Sequence, residues 1–78
     1  MPLTDNLGVV ILPTDTVMVT AWGDGARLYD TGTKSAVVRL NRRRVVITDR
    51  DGYERAVTTS EVQVLRRDGE VGFEGNRR

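Results

Sequence analysis

At 78 residues and a net charge of +1, the chain has room for one core and no second domain. It contains neither cysteine nor histidine, which excludes disulfide frameworks, thiolate chemistry, imidazole general bases and nearly all structural zinc sites. No apolar run approaches the ~20 residues of a membrane span, and Met1-Pro2-Leu3-Thr4-Asp5 lacks the basic start of a signal peptide, so a cytoplasmic protein with no membrane partner is expected.

In chain order, short β-branched runs alternate with Gly, Asp and Asn turns, and no stretch has the length and period of an amphipathic helix, so the fold class is all-β. The first expected strand runs from Leu7 to Leu12 and stops at Pro13, which has no N–H for a ladder. A second spans Thr14 to Trp22, with Val17, Val19 and Ala21 on one face and Met18, Thr20 and Trp22 on the other. Gly23-Asp24-Gly25 and Tyr29-Asp30-Thr31-Gly32-Thr33 are turn signals, so residues 23–33 form a long, ordered loop.

Ser35 to Leu40 is expected as one strand with Ala36, Val38 and Leu40 on a common face. Arg43 to Asp49 follows, with Val45 and Ile47 opposite Arg44, Val46 and Thr48. A two-residue turn at Asn41-Arg42 sets Val38 against Val45 and Arg39 against Arg44. Asp49-Arg50-Asp51-Gly52 has Asp at the first position of a type I turn and Gly at the fourth, which predicts a bulged three-residue loop pairing Asp49 with Tyr53, Ile47 with Arg55 and Val45 with Val57. Tyr53 to Thr58, a single 3₁₀ turn at Thr59-Ser60-Glu61 and a strand from Val62 to Arg66 complete the domain, assigned to residues 1–68. The glycines of residues 69–78 are expected to form a flexible tail.

The stretch 34–65 carries a resemblance. Lys-Ser-Ala-Val-Val-Arg-Leu, Arg-Val-Val-Ile-Thr-Asp-Arg-Asp-Gly, Glu-Arg-Ala-Val and Ser-Glu-Val-Gln-Val-Leu look like the small SH3-like barrels of the KOW and Tudor type, in which an Asp-Gly turn precedes one strand and a Ser-Glu-Val-like turn the last. The resemblance implies a small SH3-like barrel of about five to six short antiparallel strands with one 3₁₀ turn. Such barrels bind RNA, DNA, peptides and proteins, so it implies no one function.

The charges are segregated. Residues 1–33 carry Asp5, Asp15, Asp24 and Asp30 against Arg27, a net of −3, and residues 34–50 carry Lys34, Arg39, Arg42, Arg43, Arg44 and Arg50 against Asp49, a net of +5. Arg39, Arg42, Arg43 and Arg44 cluster on one expected hairpin, and guanidinium groups at that density suit phosphate or carboxylate recognition through paired N–H donors. The bland alternative is a solvated turn whose charges discourage edge-to-edge aggregation. Trp22, beside a glycine loop, is placed to stack on a base or partner, or else to lid the core. Tyr53 is a second binding candidate, with packing as its alternative.

No set of acids matches a metal loop or a catalytic pair, so neither enzyme nor cofactor nor metal is expected. The expectation is a non-enzymatic binding module whose partner is nucleic acid. The alternative is a protein-interaction or assembly component, such as a small phage structural or host-directed factor docking on an acidic protein surface or forming a homo-oligomer.

Overall fold

Alternating valines build the first sheet. In the computed structural model, which describes residues 2–66, β1 (Thr16–Val19) turns Val17 and Val19 fully inward. Strand β6 (Val62–Arg66) pairs antiparallel with it, so that Val17 meets Val64 and Val19 meets Val62. On the other flank β2 (Lys34–Ala36) sets Ser35 against Val17. The second sheet contains β3 (Arg39–Asn41), β4 (Arg44–Thr48) and β5 (Glu54–Thr58), in that order. Val45, Ile47 and Val57 face Val17, Val19, Val62 and Val64 in one core that also takes Ile11, Ala26 and Val37. Burying a Val or Ile side chain is worth about 1.5–3 kcal/mol, and β-branched side chains suit the narrow space between two pleated surfaces. The result is an all-β domain of six short antiparallel strands in two sheets; they do not form a closed barrel among the described residues.

Where the strand expected at Ser35 to Leu40 should be, the chain crosses from one sheet to the other. Val37 is buried and Val38 exposed, the reverse of the expected alternation, and Arg39 is exposed beside Val38. Two successive outward residues are the sign of an extra residue in the strand. The Val38 N–H donates to the Val46 carbonyl, at the residue that also pairs with Arg39. This bulge splits β2 from β3. Separately, the turn lies one residue later than expected, because Arg39 pairs with Val46, Leu40 with Val45 and Asn41 with Arg44. The turn residues are therefore Arg42 and Arg43, and the expected apposition of Arg39 with Arg44 does not occur. Ser35 braces the crossing, since its hydroxyl accepts the Thr48 N–H at 2.9 Å and ties β2 to β4.

The β4–β5 hairpin has the expected bulged register, with Val45 against Val57 and Ile47 against Arg55. The Asp49 N–H donates to the Tyr53 carbonyl and the Gly52 N–H to the Asp49 carbonyl, with Gly52 at φ +92. A 3₁₀ turn at Thr59–Glu61 follows as expected. A second one at Leu28–Asp30 lies inside the ordered loop, so there are two such turns and not one.

The strand expected from Leu7 to Leu12 is reduced to an isolated bridge between Thr4 and Val10. The Asp5 carboxylate takes the Leu7 and Val9 N–H groups, a local alternative to a ladder. Its second oxygen accepts the Val64 N–H at 2.7 Å, and the Asn6 N–H donates to the Val62 carbonyl. The N-terminal segment thus covers the open edge of β6, and Ile11 enters the core while Leu7, Val10 and Leu12 stay exposed. The strand expected at Thr14 to Trp22 shortens to Thr16–Val19, and Ala21, expected on the face of Val17 and Val19, is exposed instead. The expected tail at 69–78, and with it the domain limit at 68, lies outside the described residues.

Two glycines give separable tests. Gly52→Val forces a β-branched side chain into the left-handed region and is expected to cost about 1–3 kcal/mol. At Gly25 the obstacle is space, because a Cβ would lie 2.7 Å from both the Ala56 carbonyl oxygen and the Val57 Cα. Gly25→Ala is expected to cost a similar ~1–3 kcal/mol through overpacking. Denaturant melts measure both, and a wild-type midpoint in either variant contradicts the corresponding geometry.

Candidate functional site

The arginine hairpin is built by a short-range turn. The Asn41 side-chain oxygen accepts the Arg42 N–H at 2.9 Å, and the chain reverses at Arg42-Arg43, since Asn41 pairs with Arg44, which puts Arg42 and Arg43 at an exposed tip. Neither makes an ion pair among the described residues. Arg39, three residues before, points out from the same sheet and reaches across β4 to Glu54, with N and O 2.8 Å apart. The register pairs Val46 with Arg39 on one side and with Ala56 on the other. Although on the outer face, Val46 is only 3% exposed, as expected where an arginine stem lies over an apolar residue.

Arg44 is half-buried. It pairs with Thr58 across β4 and β5 and extends its guanidinium toward Gly25, where a Cβ would lie 2.8 Å from Nη1. The four expected arginines are thus in three situations: one pair exposed at the tip without an ion pair among the described residues, one residue balanced by Glu54, and one laid on the neighbouring loop.

That loop carries Trp22. A turn closed by the Gly23 N–H donating to the Ala26 carbonyl follows the indole, and the buried carboxylate of Glu61 fixes the turn by accepting the Ala26 N–H at 3.1 Å and the Gly25 N–H at 3.4 Å. Glu61 also accepts the Thr58 N–H, as in a capping box. Burial pushes the Glu61 carboxyl up, but hydrogen bonds from Thr58, Gly25 and Ala26 outweigh it and hold it below its ordinary value. Trp22 itself is 63% exposed and does not lid the core. Tyr53 is 72% exposed, so packing is not its role either. It stands after the Gly52 turn, at the end of β4 opposite Arg42 and Arg43, and the length of β4 separates it from them by about 17 Å.

A second cluster joins the 23–33 loop to the Asp49–Tyr53 turn. Arg27 donates to Asp30 at 2.9 Å and reaches Asp49 and Asp51, while Arg55 lies 3.3 Å from Asp49 and 3.6 Å from Asp30. Arg27 and Arg50 both lie over the Tyr29 ring, at 5.5 and 5.1 Å. The Arg27 hydrogen bond holds the Asp30 carboxyl below its ordinary value against the opposing effect of burial. The Tyr53 N–H does the same for Asp49, with burial and the neighbouring Asp30 charge opposing and the Asp51 N–H and Arg55 assisting. Sequence reasoning did not find this cluster, because nothing in the spacing of Asp30 and Asp49 shows that they meet. The Glu61 cap was discoverable, since Thr58-Thr59-Ser60-Glu61 has the capping-box pattern.

The acids are therefore inside and the bases outside. Asp5, Asp15, Asp30, Asp49 and Glu61 are buried. Among the described residues Asp24, Asp51 and Glu54 are the exposed acids, and the last two pair with Arg27 and Arg39. The acidic first third of the chain presents little acidic surface. Among the described residues no group of three or more ligating side chains is arranged for a metal ion, and no helix is long and apolar enough to cross a membrane. No protein-family model matches the chain, and comparison with curated proteins and with solved structures gives no match.

Because Asp30, Asp49 and Glu61 are held below their ordinary values, the unfolded chain binds protons more tightly at these sites. Their stabilisation is full above the ordinary values of 3.8 for Asp and 4.5 for Glu and is lost as pH falls through the depressed folded-state values. Melts from about pH 7 down to about pH 2 are expected to show that fall, and Asp30→Asn to lower the neutral-pH melting temperature and reduce the drop on the acid side. An identical acid profile in Asp30→Asn shows that its carboxylate contributes nothing.

Proposed function

We propose that this chain is a non-enzymatic binding module of SH3-like plan whose Arg42-Arg43 hairpin docks on an anionic partner, and that the partner is nucleic acid. The order of elements supports the SH3-like reading: a strand, a long ordered loop, a strand bent between two sheets, two tight hairpins, a 3₁₀ turn, and a last strand returning to the first. This is the plan of the KOW and Tudor type barrels. The observation that carries the functional reading is the disposition of charge. Arg42 and Arg43 project without an ion pair among the described residues, and five of the eight acids among the described residues are buried. A surface of this kind contacts phosphates, which gives salt-sensitive and sequence-tolerant binding.

A second reading, a protein-interaction or assembly component of the kind found in phage particles, draws on a different observation. Leu7, Val10 and Leu12 are exposed on the N-terminal segment, and apolar side chains close together at a surface suit a protein partner.

Replacing Arg42 and Arg43 by Gln is the decisive variant, since neither arginine has an ion pair to lose among the described residues. Affinity for mixed-sequence duplex is expected to fall at low salt, with a decrease of about 2 in the slope of log affinity against log salt and an unchanged melting temperature. A wild-type protein that binds no duplex, single strand or RNA at low salt, yet sediments as a discrete oligomer, sets the nucleic-acid reading aside in favour of assembly.

A further inference from the structure

Resting on that reading, we propose that the ligand is single-stranded nucleic acid, held by stacking of one base on Trp22 and by phosphate contacts from Arg42 and Arg43. The contact between Arg44 and Gly25 carries the inference. Arg44 immediately follows the hairpin tip, and its guanidinium packs on the turn that follows Trp22. The cationic tip and the exposed indole therefore share one end of the molecule. Counting the reach of the Arg44 side chain and the closed turn at Gly23–Ala26, the separation is roughly 15 Å, a span that a few nucleotides cover.

Two features aim the indole at a ligand and not at the protein. Glu61 holds the Gly25 and Ala26 N–H groups, so the loop is anchored by a buried side chain while the ring stays exposed. Tyr29, by contrast, already carries Arg27 and Arg50 over its ring, and those arginines are engaged with Asp30, Asp49 and Asp51 and with the Thr31 carbonyl. The Trp22 ring carries no such cation among the described residues. An exposed indole beside unpaired guanidinium groups adds little on duplex, where bases are already stacked, and much on a single strand, where each base offers a free π-face. Stacking reads no donor pattern, so the binding is sequence-tolerant.

Trp22 is the single tryptophan of the chain, so its emission reports the contact directly. The full chain is titrated at low salt with oligo(dT) of about 15 nucleotides, near the upper site size of small β-barrel binders, and with a mixed duplex of equal length. Binding is followed by indole emission and by anisotropy of the labelled strand. The expected result is quenching by oligo(dT) and not by duplex. Trp22→Ala is expected to lose about tenfold or more in oligo(dT) affinity with duplex affinity unchanged, and Trp22→Phe to recover part of that loss. A Trp22→Ala chain that does not melt cooperatively leaves Trp22→Phe and the wild-type quenching to decide. Unquenched emission on bound oligo(dT), or equal affinity of wild type and variants, overturns the stacking proposal and leaves the cationic hairpin reading intact. Failure of the wild type to bind either nucleic acid overturns both.

Discussion

Buried carboxylates bonded to backbone N–H groups anchor the irregular parts of this domain. Asp5 accepts from Leu7, Val9 and Val64, Asp15 from Leu12, Asp30 from Arg50, Asp49 from Asp51 and Tyr53, and Glu61 from Gly25, Ala26 and Thr58. Two sheets of three short strands cannot enclose their connections in apolar surface, so the N–H groups of those connections need partners that sit inside with them. A carboxylate has about four acceptor positions on two oxygens. It can satisfy several donors at once, and those donors in turn replace the water that would otherwise keep it ionised. Leaving one buried donor unsatisfied costs about 1–3 kcal/mol, a large share of the few kcal/mol available to a domain this small.

This inward use of acid also determines what the molecule shows to others. The near-neutral net charge describes the whole chain, whereas a partner meets chiefly the side chains at the surface, where bases outnumber acids among the described residues. The ionised groups inside still contribute to the far field, so steering over long distances is weaker than the contact surface suggests. On the proposed reading the contact is short-ranged and sits at the hairpin tip, where Arg42 and Arg43 make no ion pair among the described residues.

The hairpin from Arg44 to Thr58 was legible because Asp49-Arg50-Asp51-Gly52 encodes its own turn, and that turn sets every pairing on either side. The 3₁₀ turn at Thr59–Glu61 and the strand after it were legible for the same local reason. What failed depended on contacts distant in sequence. Strict alternation placed Val38 inside, which the extra residue at the sheet crossing undid, and a turn at Asn41-Arg42 placed Arg39 opposite Arg44, whereas the turn is at Arg42-Arg43. Leu7 to Leu12 reads as a strand until Asp5 is known to be turned toward Val64, 59 residues away. Of the candidate site, Arg42, Arg43 and Trp22 were identified by residue type alone. Their proximity was not, because Arg44 meets Gly25 only through the fold.

The bond from the Val64 N–H to Asp5 also bears on how the chain is made. Synthesis delivers the N-terminal segment and β1 first, yet the first sheet is incomplete until β6, which pairs along one side of β1, has followed. Until then Val17 and Val19 lack the valines that cover them, and the Asp5 carboxylate lacks its most distant donor. The β4–β5 hairpin needs no such wait, since its partners are adjacent in the chain and local contacts form ahead of those that close long loops. The nascent protein therefore carries an early β4–β5 hairpin and a β1 whose Val17 and Val19 are covered only when β6 arrives.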